Sequence, residues 1–472
     1  MKPVTIINFG WSKSKHREGL SLDQMQAFDL IHDWYGSNPD MPFVLRGYAG
    51  TGKTFLVQRV IQSFQDCFKT RDLDKNKNKN KNVGLRVALC APTHKARHVL
   101  DAMAQEAGLT VHISTLHSLL HVMPGGEYDE NGKQRLKPNT YSREPYYHEF
   151  DLVIVDEASM LGQELFKLIP SRTPTIFMGD PAQLPPIEDN VDSSPIFQLP
   201  LGMELTQVMR YEGAIATYVT ALRQNLNSQF PPRLQSEGNI EKMQFDTWIA
   251  AAIDAYKFSR SSAKILAWTN NQVNNLNQQI RAALYPGAEP IEIGEILFAK
   301  EPIFLNADSG EQKEIFMHSC AECEVRDFKE YSGSRHHLVH SPFKTYRIEI
   351  KNDLGKEASL SIIHPDSWDL IKYAVNNAKK EIFQLTANQR SYAWREYYEF
   401  LETYNLLVKG SLMNRLQYGY AITVHQSQGG TFTNCFVDTS NIFGCRDNVM
   451  RNKLLYVAYS RASQQLYCYS KW

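Results

Sequence analysis

The chain has 472 residues, of which 43% are hydrophobic and 22% charged, with 51 basic side chains balancing 51 acidic ones. This is the composition of an ordinary globular protein, long enough for about three or four domains. No apolar run approaches the ~18 residues of a membrane span, and the N-terminus lacks the basic and apolar regions of a signal peptide. Zero net charge argues against a protein that coats duplex DNA, though a narrow single-strand channel needs only local positive charge and stacking surfaces. Seven scattered cysteines suit a reducing, cytoplasmic compartment.

Residues 1–20 read as a lead-in. Ser21, with Gln24 three residues on, predicts a capped helix whose buried stripe is Leu22, Met25, Phe28 and Ile31. Phe43 to Leu45 predict a buried strand. A loop follows in which Gly47, Gly50, Thr51, Gly52, Lys53 and Thr54 match G-x-x-x-x-G-K-[ST] in full. Apolar periodicity then predicts a helix through Phe55, Leu56, Val60 and Ile61. Backbone N–H groups of such a loop cradle a triphosphate, the lysine reaches its β- and γ-phosphates, and the threonine ligates Mg²⁺.

The Lys-Asn run at 74–82 cannot bury a face and predicts a solvated loop. Val87 to His94 predict a strand ending in Pro92, Thr93 and His94. Thr115 and His117 come soon after, with helix capping as the plainer role for them. Residues 121–150 have no helical period and predict a β-hairpin turning near Asn131-Gly132, inserted into an α/β alternation. The strand Asp151–Val155 ends in Asp156 and Glu157, and the strand from Thr175 ends in a loop holding Gln183.

A second set of elements begins near residue 205, with a strand at 264–270 that includes Thr269 and Asn270, and a helix through Val273 and Ile280. Residues 290–405 predict short antiparallel strands followed by an aromatic-rich helix, whose Tyr392, Trp394, Tyr397, Tyr398 and Phe400 are expected in a core. The α/β texture returns at Tyr420 to His425 and continues to Tyr469. The fold class is therefore α/β, in two domains, each with a β-rich insertion.

The chemistry follows from residue types. Asp156 suits Mg²⁺, and Glu157 suits orientation and deprotonation of an attacking water. Gln183 donates and accepts at once, so it can sense a γ-phosphate or water. Arg210 and Arg461 are candidate arginine fingers. Cys320, Cys323, His336 and His340 match zinc-finger spacing, but the residues before His336 break a helix, so no zinc site is expected.

The stretches Gly47–Thr54, Ala91–His94, Asp156–Ser159, Gly179–Pro186, Leu205–Arg210, Ile422–Gly429 and Leu455–Arg461 resemble, in order, the motifs of superfamily 1 helicases. The 5′→3′ branch, superfamily 1B or RecD-like, is most similar, and within it the compact Dda-like helicases of T-even-like phages. The resemblance spans about residues 21–470. It implies two tandem RecA-like P-loop domains. Domain 1A would be residues 1–120 and 151–200, with a pin-type hairpin, 1B, at 121–150. Domain 2A would be 201–289 and 406–472, with an SH3-like insertion and helical arm, 2B, at 290–405.

The same resemblance implies ATP and Mg²⁺ as cofactors, Gln24 as the adenine reader, and Arg210 and Arg461 acting from the second domain. It implies strand contacts by Pro92, Thr93, His94, Thr115, His117, Pro124, Thr269, Asn270, Thr423, His425 and Gln428. The implied activity is ATP-dependent 5′→3′ unwinding and translocation on single-stranded DNA, in phage DNA replication or recombination in a host cytoplasm. Implied partners are single-stranded DNA and DNA forks, with a single-stranded-DNA-binding protein or replisome components, for a functional monomer without membrane attachment. Two alternatives are an RNA-directed motor and an ATPase accessory subunit of a nuclease complex.

Overall fold

A computed structural model of the protein describes residues 13–37, 39–74, 84–92, 94–128, 134–138, 145–186, 193–209, 213–258, 263–287, 290–300, 303–305, 314–317, 319–352, 355–405 and 416–471. The chain divides into two compact units. The first holds residues 1–240, 428–431 and 445–464, and the second holds 241–427, 432–444 and 465–472. Among the described residues no helix is long and apolar enough to cross a membrane.

The first unit contains β1 (Phe43–Gly47), β2 (Val87–Ala91), β3 (His112–Thr115), β4 (Val122–Tyr128), β5 (Gln134–Pro138), β6 (Leu152–Val155), β7 (Thr175–Gly179) and β8 (Gly202–Leu205). Six of them form one parallel sheet in the order β3-β2-β6-β7-β1-β8. Its central strands are apolar on both faces because helices cover both. Alternate side chains feed two cores: Phe43, Leu45 and Leu89 enter one, and Val44, Ala88 and Cys90 the other.

After a one-turn helix at Lys13–His16, the first long helix spans Leu22–Ser37 and begins as expected: Ser21 N–H donates to Gln24 Oε1, and Gln24 N–H to Ser21 Oγ. Its buried face is shifted from the expected stripe. Leu22 is 74% exposed, and Gln24 and Ala27 are buried instead. The β4–β5 pair is the antiparallel hairpin expected at 121–150, with Pro124 opposite Leu136. Its Asn131-Gly132 turn, and residues 75–82 of the Lys-Asn run, lie outside the described residues.

The second unit carries most of β9 (Ile240–Met243), then β10 (Ala263–Ala267), β11 (Ile296–Ala299), β12 (Ile303–Leu305), β13 (Glu314–Met317), β14 (Glu322–His336), β15 (Val339–Asn352), β16 (Glu357–Ile363), β17 (Tyr404–Asn405), β18 (Leu416–Tyr418), β19 (Ala421–Thr423), β20 (Phe432–Asp438) and most of β21 (Ala462–Tyr469). One sheet runs β19-β10-β20-β21-β9, with β10 parallel to both of its neighbours. A second sheet, β17-β16-β15-β14-β11-β18, is antiparallel apart from the β16–β17 pair.

Two ion pairs, the first of them buried, link the elements of these sheets. Arg281 reaches Glu295 at 2.9 Å, just before β11, and Lys264 of β10 reaches Glu322 of β14 at 2.7 Å. Helices Trp368–Gln384 and Ala387–Thr403 pack on the antiparallel sheet through Ile371, Val375, Tyr397 and Phe400. Tyr397 and Phe400 are thus core, as expected, whereas Tyr392 is 65% exposed.

Cys323 and His336 lie at opposite ends of β14. At ~3.3 Å per residue the strand holds them roughly 40 Å apart, so the zinc-finger spacing cannot close around one ion.

Candidate functional site

In a parallel sheet every strand ends on the same side, and here β1, β7 and β6 are adjacent. The loop after β1 carries Gly47 to Thr54, the loop after β7 carries Gln183, and β6 is followed by Asp156 and Glu157. Stretches separated by more than a hundred residues of chain thus meet at one rim.

Gly50 (φ +80°) and Gly52 (φ +71°) adopt the left-handed backbone that side chains resist. At Gly52 a Cβ would also lie 2.6 Å from Gln24 Nε2. Gln24 is 2% exposed and uses both ends of its amide inside the protein. It accepts from Ser21 N–H and donates to the Thr51 carbonyl, both at 2.9 Å. The Lys53 ammonium donates to the carbonyls of Gly47 and Tyr48, each at 3.0 Å, so it lies over the loop that begins its own helix, Lys53–Asp74.

Thr54 Oγ1 donates to Asp156 Oδ2 at 3.3 Å. A hydroxyl beside a carboxylate is a hard-oxygen pair that fits Mg²⁺, which takes one or two protein ligands and fills its octahedron with phosphate oxygens and water. Burial first, and the Glu157 carboxylate second, push Asp156 up to about 6, against hydrogen bonds from Glu157 N–H and Thr54 and the charge of Lys53. A cation needs the deprotonated form, so proton and metal compete. Mg²⁺ affinity, measured calorimetrically with ADP bound, is expected to rise with pH through about 6 and to be about tenfold weaker near pH 5 than near pH 7. A flat profile contradicts the assignment.

Glu157 adopts φ +49° and ψ +36°, the left-handed region, without being glycine. Such strain costs of order 1–3 kcal/mol and collects at functional sites. Gln183 is 5% exposed, and its buried Oε1 has no hydrogen-bond partner among the described residues. The Ser159 hydroxyl is in the same condition. A Cβ at Gly429 would lie 3.9 Å from Glu157 Oε1, which brings the Gln428-Gly429 turn to this rim. Gln428 is 7% exposed, and its Nε2 is buried without a partner among the described residues.

Arg461 is 1% exposed and groups with the first unit. Its guanidinium donates to the carbonyls of Val457 (3.1 Å) and Gly430 (3.2 Å) and to Ser460 Oγ (3.0 Å). Arg210 and Thr93 lie outside the described residues, but the chain leading to Arg210 is held. Met209 N–H donates to the Gly50 carbonyl at 2.8 Å. Asp23 Oδ2 accepts from Thr206 N–H (2.9 Å) and Gln207 N–H (3.0 Å). Partial burial raises the Asp23 carboxyl, but hydrogen bonds from Ser21, Gln207, Thr206 and Gln24 outweigh it and keep the group below the usual carboxylate range.

Asp23 was not singled out from sequence, nor were Asp180, Arg223 and Tyr456, which meet beside the loop. Ala49 N–H donates to the Tyr456 hydroxyl at 2.9 Å, and that hydroxyl donates to Asp180. The position of Asp180 between Gly179 and Gln183 was a usable signal. Arg223, in the last turn of a helix, offered none.

The remaining candidates lie at strand ends. In the first unit Pro92 and His94 follow β2, and Thr115 and His117 follow the edge strand β3, whose Thr115 pairs in register with Ala91. In the second, Thr269 and Asn270 follow β10, and His425 follows the edge strand β19, whose Thr423 pairs with Ala267. Each unit thus gathers its set at an edge strand and the strand beside it.

Several of these side chains are also locally committed. Thr115 Oγ1 caps a short helix by accepting from Ser118 N–H at 3.2 Å. Thr269 Oγ1 caps the helix Asn270–Leu284 through Gln272 N–H at 3.3 Å. Thr423 exchanges bonds with Gln426. Burial pushes His117 and His425 below the ordinary imidazole value, so both favour the neutral ring. Pro124 lies within β4, in the hairpin.

The family model described as an AAA domain matches residues 20–244, and that of a UvrD-like helicase C-terminal domain matches residues 418–469. The ATP-dependent DNA helicase Dda of Enterobacteria phage T4 is 26% identical over 302 residues, covering 61% of this chain and 62% of Dda. The ATP-dependent RecD2 DNA helicase of Deinococcus radiodurans is 31% identical over 208 residues, covering 43% of this chain and 24% of RecD2. Among solved structures, the Pif1 helicase from Bacteroides in complex with ADP-AlF3 and ssDNA aligns over 95% of this chain and 92% of its own, at 16% identity and a TM-score of 0.48. The chain thus matches an AAA domain and a UvrD-like helicase C-terminal domain at either end of the motif series, and it is related to the DNA helicases Dda and RecD2.

Proposed function

We propose that the protein is an ATP-driven 5′→3′ DNA helicase that translocates on single-stranded DNA. The observation that carries the reading is the meeting of Lys53–Thr54, Asp156–Glu157 and Gln183 at the ends of adjacent parallel strands, with Thr54 bonded to Asp156 at 3.3 Å. ATP lies with its phosphates on the loop Gly47–Gly52 and Lys53. Thr54 and Asp156 would hold Mg²⁺, which would supply positive charge to offset that of the phosphates. Glu157 takes the proton of the attacking water as its oxygen bonds to the γ-phosphorus and the bond to the β–γ bridging oxygen breaks. Gln183 orients that water, and Arg461 and Arg210 offset charge on the transferring group. Gln24 reads adenine by exchanging the Thr51 carbonyl for the base.

In the same reading the parallel sheets are RecA-like domains 1A and 2A, the β4–β5 hairpin is the duplex-splitting pin, and the antiparallel sheet with its helix pair is an SH3-like insertion with an arm. Pro92, Thr93, His94, Thr115, His117, Pro124, Thr269, Asn270, Thr423, His425 and Gln428 contact the strand. Support for this comes from the placing of most of them at strand ends in each unit. Neutral histidines there offer hydrogen bonds and stacking faces rather than charge. The protein acts as a monomer on forks in a host cytoplasm, beside a single-stranded-DNA-binding protein or replisome components.

Two partial duplexes test it, one with a 5′ single-stranded tail and one with a 3′ tail. Unwinding of the 5′-tailed substrate alone, with ATP turnover raised about tenfold or more by single-stranded DNA, is the expected result. Turnover indifferent to DNA sinks the motor reading, stronger stimulation by RNA points to an RNA-directed motor, and unwinding from the 3′ tail reverses the polarity.

A further inference from the structure

We propose that Tyr456 and Arg223 are positioning residues for hydrolysis, forming with Asp180 a latch that holds Gln183 in register with the nucleotide loop; this rests on the ATPase reading of the site.

The latch is a chain of bonds within the first unit. The Asp180 side chain is fully buried. Its Oδ1 accepts from Ala182 N–H (3.0 Å) and from Arg223 Nη2 (3.1 Å) and Nε (3.3 Å). Its Oδ2 accepts from the Tyr456 hydroxyl, which itself accepts Ala49 N–H at 2.9 Å. The guanidinium of Arg223 also donates to Glu204 at 2.7 Å and stacks 3.7 Å from the centroid of the Tyr48 ring. The nucleotide loop is therefore gripped at two successive residues, by stacking at Tyr48 and by hydrogen bonding at Ala49, and both grips end on Asp180.

Asp180 passes the grip on to Gln183. Gln183 N–H donates to the Asp180 carbonyl at 3.0 Å, closing a tight turn that ties the backbone of the two residues together. The side chain at the end of that turn is the buried glutamine whose Oε1 has no partner among the described residues. Tyr456 lies in the helix Asn448–Tyr459, two residues before whose successor Arg461 the helix ends. A buried carboxylate pays for its desolvation only when its oxygens are well donated to, so its donors are not interchangeable. Phenylalanine at 456 leaves both Ala49 N–H and Asp180 Oδ2 without their shared partner. Lysine at 223 keeps the charge but loses the planar fork that bonds while stacking.

A purely structural role predicts that these changes lower stability and leave turnover per folded molecule intact. A latch acting through Gln183 predicts a specific non-additivity. The test is a double-mutant cycle of Tyr456→Phe with Gln183→Ala, read as DNA-stimulated kcat, KM for ATP and Kd for a fluorescent ATP analogue, all corrected for folded fraction. Tyr456→Phe alone is expected to lower kcat about 10- to 100-fold with nucleotide Kd within about threefold, and to cost less than about twofold in the Gln183→Ala background. Equal losses in both backgrounds, or a change in Kd alone, overturn the latch. Arg223→Lys is expected to lower kcat as Tyr456→Phe does, and wild-type turnover from it contradicts the fork.

If Tyr456→Phe does not fold, Tyr48→Leu removes the half-buried ring at the other grip and runs through the same cycle with the same expectations. Hydrogen exchange over residues 47–52 supplies a readout that needs no catalysis. Faster exchange in either variant than in wild type is expected, and unchanged exchange overturns the latch. A wild-type protein without DNA-stimulated hydrolysis refutes the ATPase reading instead, and the exchange measurement still decides whether the latch exists.

Discussion

Replacing Lys53 with alanine is expected to reduce ATP hydrolysis by about 10³-fold or more while leaving single-stranded DNA affinity within about twofold. The ammonium donates to the carbonyls of Gly47 and Tyr48, so in the proposed reading its charge lies over the loop assigned to the phosphates. Alanine removes that charge and the two hydrogen bonds it gives to the loop. Lys53→Arg is not a rescue: the guanidinium is planar and wider than the point charge the loop surrounds. Steady-state turnover and a fluorescence-anisotropy titration with a single-stranded oligonucleotide separate the two properties. Equal loss of both refutes the division of labour between nucleotide loop and strand ends.

Arg461→Ala is expected to lower kcat by about 10³-fold, with a smaller effect on KM, because a finger acts on charge that exists only in the transition state. The side chain is 1% exposed and bonded to the carbonyls of Val457 and Gly430 and to Ser460 Oγ. These bonds fix the orientation in which the guanidinium is presented. The same burial gives alanine a structural cost of about 1–3 kcal/mol, since it strands the Gly430 carbonyl. Turnover must be compared per folded molecule, with folding followed by denaturant titration. A loss confined to KM contradicts the finger, and a kcat loss that vanishes on correcting for folded fraction assigns Arg461 to structure.

The nucleotide loop was legible because its chemistry is contiguous. Gly50 and Gly52 need left-handed backbone, Lys53 and Thr54 open a helix, and a buried strand precedes them, all within a dozen residues. Asp156 and Glu157 were legible for the same reason, as carboxylates closing an apolar strand. The first helix was recognised by its Ser21–Gln24 box. Its buried face was misjudged at Leu22 because a period of 3.6 gives a stripe without saying which neighbour covers it.

The zinc-finger spacing misleads in the other direction. Four ligand-type residues at suitable intervals mean nothing when the intervening chain is one extended strand. The aromatic run at 392–400 divides: Tyr397 and Phe400 are core, while Tyr392 stays in solvent. Composition predicted the cluster but not which member faces outward.

Sequence alone determined the two α/β segments with β-rich insertions, the nucleotide loop and the acid pair, because each rests on local periodicity or on neighbours in the chain. Tertiary structure alone decided what surrounds that loop. Arg223 meets Asp180 across 43 residues, and Tyr456 meets Ala49 across 407. Those meetings depend on the strand order β3-β2-β6-β7-β1-β8 and on a late helix returning to the first unit. Neither leaves a periodic trace, because a side chain's distant partner is chosen by how whole elements pack rather than by the residues beside it.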